Sequence, residues 1–299
     1  MMLKQFDWQS FLIKTTLRTL AILPFGMLQI IGALFGMFIA RLPLSFNRVA
    51  LKNIEICFPD LSPQQQKDLA RRSVRNTIIS AFEHAALWCW PAERLAPQIK
   101  DVENEMIAQA GLAKGKGVIL LAPHLSSWEI SQGYVCGRYA FSAVYKPLRK
   151  KEMEEFVFGA RKRAGMQLLP TTPSGLRKVY AALKENQMVC ILPDQVPGRK
   201  NGVFSTFFGK PVWTMTLINR LAQKTNATVI IGACYRLGIG KGFKLAVYPV
   251  DATIADADPV IGANALNKAI EQIVLSAPDQ YHWIYKRFKM QPDGSKVYR

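Results

Sequence analysis

The stretch at 117–130, GVILLAPHLSSWEI, brings together the residue types that acid–base chemistry needs. His124 follows an apolar run that Pro123 stops, and a carboxylate, Glu129, comes five positions later. Ser126 and Ser127 between them suit a helix N-cap, which would set a loop histidine opposite a first-turn acid. A carboxylate bonded to one ring nitrogen fixes the tautomer and raises the basicity of the other, so the pair is suited to taking a proton from a hydroxyl. The chain has only two further histidines, His84 and His282, too few for a multi-histidine metal centre, and no metal or other cofactor is expected.

Other chemistries lack their residues. No GxSxG elbow occurs, so a serine acyl-enzyme is not expected. The GxxxxGK[ST] loop is also absent, and GLAKGKG at 111–117 precedes a strand instead of following one, which disfavours nucleotide hydrolysis. Cys57, Cys89, Cys136, Cys190 and Cys234 form no CxxC pair and read as buried thiols in a reducing compartment.

The histidine needs a frame. The run at 118–122 reads as a buried strand, with further strands at 140–145, 166–169, 188–192, 228–235 and 243–250. Helices are expected at 151–164, 174–185, 214–224 and 263–276, and 197–211 reads as a glycine-rich loop. Strands alternating with crossover-length helices predict an α/β fold with a mixed, largely parallel central sheet flanked by helices. Ligands of such sheets sit at the carboxyl ends of strands, where His124 falls. Earlier, 53–95 is mostly helical, with Ser62 and Pro63 opening a helix. Arg71, Arg72 and Arg75 on it read either as a solvated face or as contacts to acidic headgroups.

At 19–40, TLAILPFGMLQIIGALFGMFIA, there is no charge in 22 positions. As one helix it would reach ~33 Å, enough to cross a hydrocarbon core of ~30 Å. Pro24, Gly26, Gly32 and Gly36 are tolerated in membrane helices. No small-x-small cleavage site follows, and the basic flanks are nearly balanced, so spanning, re-entrant and interfacial insertion all fit. The expected organisation is an N-terminal membrane anchor at 1–45 and a globular α/β domain at 46–299. Thirty-nine Lys and Arg against 21 Asp and Glu leave a net charge of +18, a field that favours anionic lipid, a phosphorylated substrate or an acidic carrier protein. Aromatic residues are not interleaved with basic ones in any nucleic-acid module, and no nucleic acid is expected.

His124-Leu-Ser-Ser-Trp-Glu129 resembles the His-x4-Asp/Glu signature of the lysophospholipid acyltransferase superfamily. Further segments carry the resemblance over nearly the whole chain: NIEICFPDL at 53–61, Tyr145-Lys146-Pro147, Arg161 with Gly165 four positions on, Leu192-Pro193-Asp194-Gln195, Phe207-Phe208-Gly209-Lys210-Pro211 and HWIYKRF at 282–288. In that order they are similar to the Kdo-dependent lipid A late acyltransferases of Gram-negative bacteria. Glu129 stands where the glycerophospholipid branch usually has Asp, which points to the lipid A branch. The resemblance implies an inner-membrane enzyme with its catalytic domain on the cytoplasmic side. It would move an acyl chain from acyl carrier protein to a hydroxyl of a fatty chain on a phosphorylated lipid A precursor, by direct transfer; apart from the resemblance, a monomer on the membrane is expected. Two alternatives stand beside it: transfer from acyl-CoA to another glycolipid, such as a mannosylated phosphoinositide, and a non-catalytic protein that holds anionic lipid.

The same resemblance makes His124 the base, Glu129 its orienting acid, and Arg161 the candidate for the oxyanion or a substrate phosphate. On the helix at 151–164, Arg161 and Arg163 flank the apolar face on opposite sides; periodicity does not separate them, and the family's Arg-x3-Gly spacing favours Arg161. Asp194, beside Gln195 at a strand end, either pairs with a basic residue to shape the acceptor site or caps a turn. Phe207, Phe208 and Gly209 either wall the acyl chain or pack in the core. Lys146 is carried over as a substrate-binding residue by its motif. Lys286 and Arg287 read either as a membrane-interface or phosphate contact or as a solvated tail.

Overall fold

The computed structural model describes residues 7–148 and 150–298. In chain order it runs through helices α1 (Trp8–Leu20), α2 (Phe25–Ile39), α3 (Ser45–Cys57), α4 (Pro63–Cys89) and α5 (Ala92–Leu95), then β1 (Ile99–Glu103), α6 (Glu105–Ala113), β2 (Val118–Leu121), α7 (Ser131–Cys136) and β3 (Phe141–Tyr145). It continues with α8 (Lys151–Arg163), β4 (Gln167–Pro170), α9 (Pro173–Lys184), β5 (Met188–Ile191), β6 (Gly202–Phe207), β7 (Lys210–Met215), α10 (Leu217–Thr225), β8 (Thr228–Arg236), β9 (Phe243–Pro249) and α11 (Pro259–Ser276).

Seven strands form one sheet in the order β1-β9-β8-β2-β5-β3-β4. Neighbours are parallel throughout except β8 and β9, which are antiparallel, so the mixed, largely parallel α/β sheet is as the sequence indicated. Because side chains alternate along a strand, the central residues divide between two cores. Ile119, Leu121, Val189, Ile191 and Ile231 face a core shared with α3, α4, α9, α10 and α11. Val118, Met188, Cys190 and Ile230 face a smaller one with Ala108 of α6. Cover on both faces explains why β2 and β5 read as unbroken apolar runs.

The expected loop at 197–211 is instead mostly a β-hairpin, β6 pairing antiparallel with β7. Its turn is Phe208-Gly209, with φ of +48° and +70°. Two successive left-handed residues make the tight turn whose twist matches the strands, and Gly209 takes that conformation without strain.

The 22-residue apolar stretch is not one helix. Pro24 lacks an N–H and its ring excludes a helical neighbour upstream, so α1 ends at Leu20 and α2 begins at Phe25. At 15 residues α2 extends ~22 Å, and among the described residues no helix is long and apolar enough to cross a membrane. The spanning anchor is thus corrected to two shorter helices. Their glycines serve packing: a Cβ on Gly32 would lie 3.0 Å from the Ile79 Cα, and one on Gly36 would lie 2.9 Å from the Arg75 Cα, so α2 can lie close along α4. The other side of α2 presents Met27, Ile30, Leu34, Phe35, Met37 and Phe38 to the exterior, a stripe at helical spacing.

Gln29, the one strongly polar residue of that stretch, points inward. Its Nε2 donates to Glu83 Oε1 at 2.7 Å and its Oε1 accepts from the Gly240 N–H at 2.6 Å. Glu83, fully buried on α4, also takes two bonds from the Arg236 guanidinium, at 2.8 and 2.6 Å, and one from the Ser127 hydroxyl. The charge of Glu83 is thus matched and its lone pairs filled, which a buried carboxylate requires. The same node connects α2, α4, β8 and the turn after His124.

Candidate active site

Pro123 ends the sheet's central strand, and His124 follows at its carboxyl end. Asp194, at the end of the adjacent β5, holds this histidine twice: Oδ2 accepts from its backbone N–H at 2.8 Å and Oδ1 accepts from Nδ1 at 2.7 Å. The C-terminal segment closes the other side, with Leu125 bridged to Tyr281 and the His282 N–H donating to the His124 carbonyl at 3.0 Å. Nε2 is left pointing away from the acid, 3.3 Å from the Gln195 amide nitrogen.

Burial works against charge on both members of this pair. For His124, burial lowers the pKa, but the Asp194 charge and hydrogen bond outweigh it and the net direction is upward. For Asp194, burial raises the pKa, but the histidine's charge and hydrogen bonds hold it at about 2. With Asp194 ionised, Nδ1 carries a proton and Nε2 keeps its lone pair, facing the Gln195 amide N–H. That is the arrangement a general base needs.

Glu129 does not take the part expected of it. Ser126 adopts a left-handed φ of +50°, and the short 3-10 turn Trp128–Ile130 that follows carries Glu129 toward α4 and α8. There Oε1 accepts from Arg161 Nε at 2.6 Å and Oε2 lies 3.3 Å from His84 Nε2. Ser127 does not cap the turn with its side chain; the hydroxyl goes to Glu83. Burial raises the Glu129 pKa, and the His84 bond and the Arg161 charge more than reverse it, to about 2. The His84 Nδ1 faces the Ser80 carbonyl oxygen at 2.6 Å. An acceptor at each nitrogen favours the protonated ring; burial opposes this, but the Glu129 bond and charge carry its pKa upward. The structure therefore contains two pairings, Asp194 with His124 and Glu129 with both Arg161 and His84.

The remaining candidates separate. Arg161 has Glu129 as its partner through Nε and stays partly accessible. Lys146 is exposed after β3 and makes no bond to the His124 group. Phe207 is buried at 1% exposure, and with Phe208 it packs on Phe58, Trp283 and Phe288, which is the core reading. Gly209 lies in the open hairpin turn. Arg287 is corrected from a membrane or phosphate contact to a buried tie: Nη1 donates to the Trp213 carbonyl at 2.8 Å, and Nη2 to Thr214 Oγ1 at 3.0 Å and Asn267 Oδ1 at 3.2 Å. Its neighbour Lys286 is exposed.

His84, Glu83 and Arg236 were not singled out in the sequence. The signal was there for the first two, a Glu-His pair within the otherwise apolar helical run ISAFEHAALW at 79–88. His282 opens the HWIYKRF segment. Its ring lies 6.2 Å from that of His124, and burial followed by the positive charge of His124 lowers its pKa to about 3, so it stands neutral beside the base.

A histidine bonded to a carboxylate through Nδ1, at the carboxyl end of the sheet's central strand, has the geometry to take a proton from a hydroxyl. Comparison with known proteins gives the family. The model of the bacterial lipid A biosynthesis acyltransferase family matches residues 2–290, and the chain belongs to that family. It is an acyltransferase. Among curated relatives from Escherichia coli (strain K12), the lipid A biosynthesis lauroyltransferase is 25% identical over 273 residues, 91% of this chain and 88% of the relative. The palmitoleoyltransferase is 28% identical over 280 residues, again 91% and 88%. The myristoyltransferase is 25% identical over 305 residues, 96% and 88%.

Proposed function

We propose that this enzyme carries out a late acylation in lipid A biosynthesis, moving a fatty acyl group from the thioester of acyl carrier protein to a hydroxyl on an acyl chain of a lipid A precursor. The observation that supports the chemistry best is the double grip of Asp194 on His124, which leaves Nε2 as a proton acceptor. Nε2 takes the hydroxyl proton, and the oxygen attacks the thioester carbonyl to form a tetrahedral oxyanion. Collapse breaks the carbon–sulfur bond, and the leaving thiolate takes the proton back from the imidazolium, so no acyl-enzyme forms. Gln195 steadies the ring edge. Arg161, held by Glu129, is the cation for the oxyanion or a substrate phosphate, since a preorganised positive group near developing charge lowers the barrier most effectively. In this reading Glu129 orients Arg161 and Asp194 orients the base.

The exposed apolar stripe on α2, with Trp8, Phe11, Leu12 and Ile13 of α1, supports seating on a membrane face. Both helices would lie in the interface, on the cytoplasmic side of the inner membrane where an acyl carrier protein can reach. In this reading residues 1–45 are the membrane-facing segment and 46–299 the catalytic domain. Transfer of labelled acyl chains from acyl carrier protein to a lipid A precursor tests this directly. Wild-type protein should form product and His124→Ala should not; equal product from both would remove the catalytic reading. Leu34→Glu/Phe38→Glu should lower co-sedimentation with anionic vesicles at least tenfold, and undiminished sedimentation would remove the interfacial one.

A further inference from the structure

One large concavity lies apart from the His124 group. It is an open cleft of about 700 Å³, a volume in the range of ligand pockets. Arg48 and Lys52 of α3, Lys210 at the start of β7, Lys286 of the C-terminal segment and Lys296 near the chain end all line it. Among the described residues no carboxylate lines it. Among the described residues, only Lys52 of these five has an ion-pair partner, Glu55 on its own helix at 3.3 Å. The net charge of +18 leaves many cations unpaired, but these come from four separate parts of the chain to one hollow. Like charges gathered in this way repel, a cost that a bound anion reverses. The lining also includes apolar Val49, Ile56, Pro211 and Phe288, with Ser45, Gln291 and Tyr298 adding polar groups. Apolar and polar groups mixed with the cations match a phosphorylated sugar better than a bare ion.

The cleft is also near the chemistry. Lys286 follows His282 by four residues, so their Cα atoms are separated by no more than ~14 Å even if the chain is extended. The His282 ring is 6.2 Å from that of His124. Between them Tyr285 accepts the Val196 N–H at 3.0 Å, one residue after Gln195. On the other side α3 begins six residues after α2 ends, which sets the cleft beside the end of the exposed apolar stripe.

We propose that this cleft is a phosphate-recognition subsite that holds the phosphorylated sugar headgroup of the acyl acceptor while its acyl chain reaches His124. The inference rests on the acceptor proposed above. It is tested with full-length protein and Lys210→Gln/Lys286→Gln, two exposed positions, on phosphatidylcholine vesicles doped with either a phosphorylated lipid A precursor or the same precursor after dephosphorylation. Wild-type protein should sediment with the phosphorylated vesicles at least tenfold more tightly, and the double variant should lose most of that preference. In turnover, KM for the phosphorylated acceptor should rise about tenfold, with a much smaller rise for the dephosphorylated one. An undiminished preference in the variant would overturn the subsite. So would a KM rise that falls on acyl carrier protein, which would make the cleft an acidic-protein dock, or displacement by inorganic phosphate at the same concentration as the headgroup. Sedimentation needs no turnover; a wild-type protein that binds the phosphorylated lipid but acylates nothing would remove the acyl-transfer reading and leave the cleft standing.

Discussion

Replacing Asp194 by Asn separates the two carboxylates of the site more sharply than any other change. The acid now accepts two bonds from one residue, the His124 backbone N–H at 2.8 Å and Nδ1–H at 2.7 Å, with one oxygen for each. An amide has one oxygen. If that oxygen keeps the backbone N–H, the NH₂ faces Nδ1, which must give up its proton; Nε2 then carries it and can accept nothing. If the amide is reversed, a buried N–H faces an N–H. An equivalent tautomer error in a histidine-driven acyl transfer costs ~10³–10⁴ in kcat, or about 4–5.5 kcal/mol of barrier. The expected outcome for Asp194→Asn is a loss of that size in single-turnover transfer from labelled acyl carrier protein. The pH profile adds a second readout. The reaction needs neutral His124, whose pKa burial lowers but Asp194 raises to a net upward shift, so wild-type activity should fall as pH drops through a value above 6.5. Without the carboxylate, burial remains and the limb should move to lower pH. A loss under tenfold, or a limb that shifts in Glu129→Gln and stays put in Asp194→Asn, would refute the assignment and return Glu129 to the role of orienting acid.

Three further outcomes follow from the packing. Glu129→Gln leaves Arg161 and His84 without their shared carboxylate, and urea unfolding should show a loss of ~3 kcal/mol, the usual cost of removing one partner from a buried charged group. Buried neutral His282 has a folded pKa of about 3 against 6.5, so the unfolded chain takes up its proton first. Its contribution should be complete above pH 6.5 and decline as pH falls toward 3, by no more than ~1.4 kcal/mol per pH unit, and His282→Gln should flatten that part of the urea-midpoint curve. A methyl at Gly36 meets the α4 backbone at 2.9 Å, and Gly36→Ala should lower stability by ~1–3 kcal/mol despite the better helix propensity of alanine; a neutral or raised Tm would show that α2 shifts freely along α4.

Much of the frame was legible because it obeys local rules. The strand endings at Leu121 and Ile191 and the helices between them follow from apolar runs stopped by Pro123 and Pro193, and the Ser62–Gln65 capping box opens α4 where the sequence places it. The hairpin was hidden because its glycines and prolines outweighed the alternation in VFSTF and PVWTM. The site was half legible. Base and acid were both present in one short motif, but sequence distance is a poor guide to which acid faces which base. A single left-handed residue, Ser126, turns Glu129 aside, while Asp194 reaches His124 from 70 residues away because β5 lies beside β2. Arg287 misled for a different reason: a charge near a chain end reads as solvated until the buried Thr214 and Asn267 that receive it are known.

Gln29 has a practical consequence for anyone wishing to make this enzyme easier to handle. Trimming the greasy first forty residues is an obvious route to a protein that stays in solution without detergent. The cut would remove one of the donors to Glu83 and the acceptor of the Gly240 N–H, and it would bare the strip of α4 that Gly32 and Gly36 now cover. Since Glu83 also holds Ser127, the damage would reach the turn that follows His124. Solubility is better sought by recolouring the outer stripe, at Ile30, Leu34 and Phe38, while leaving Gln29 and the two glycines as they are.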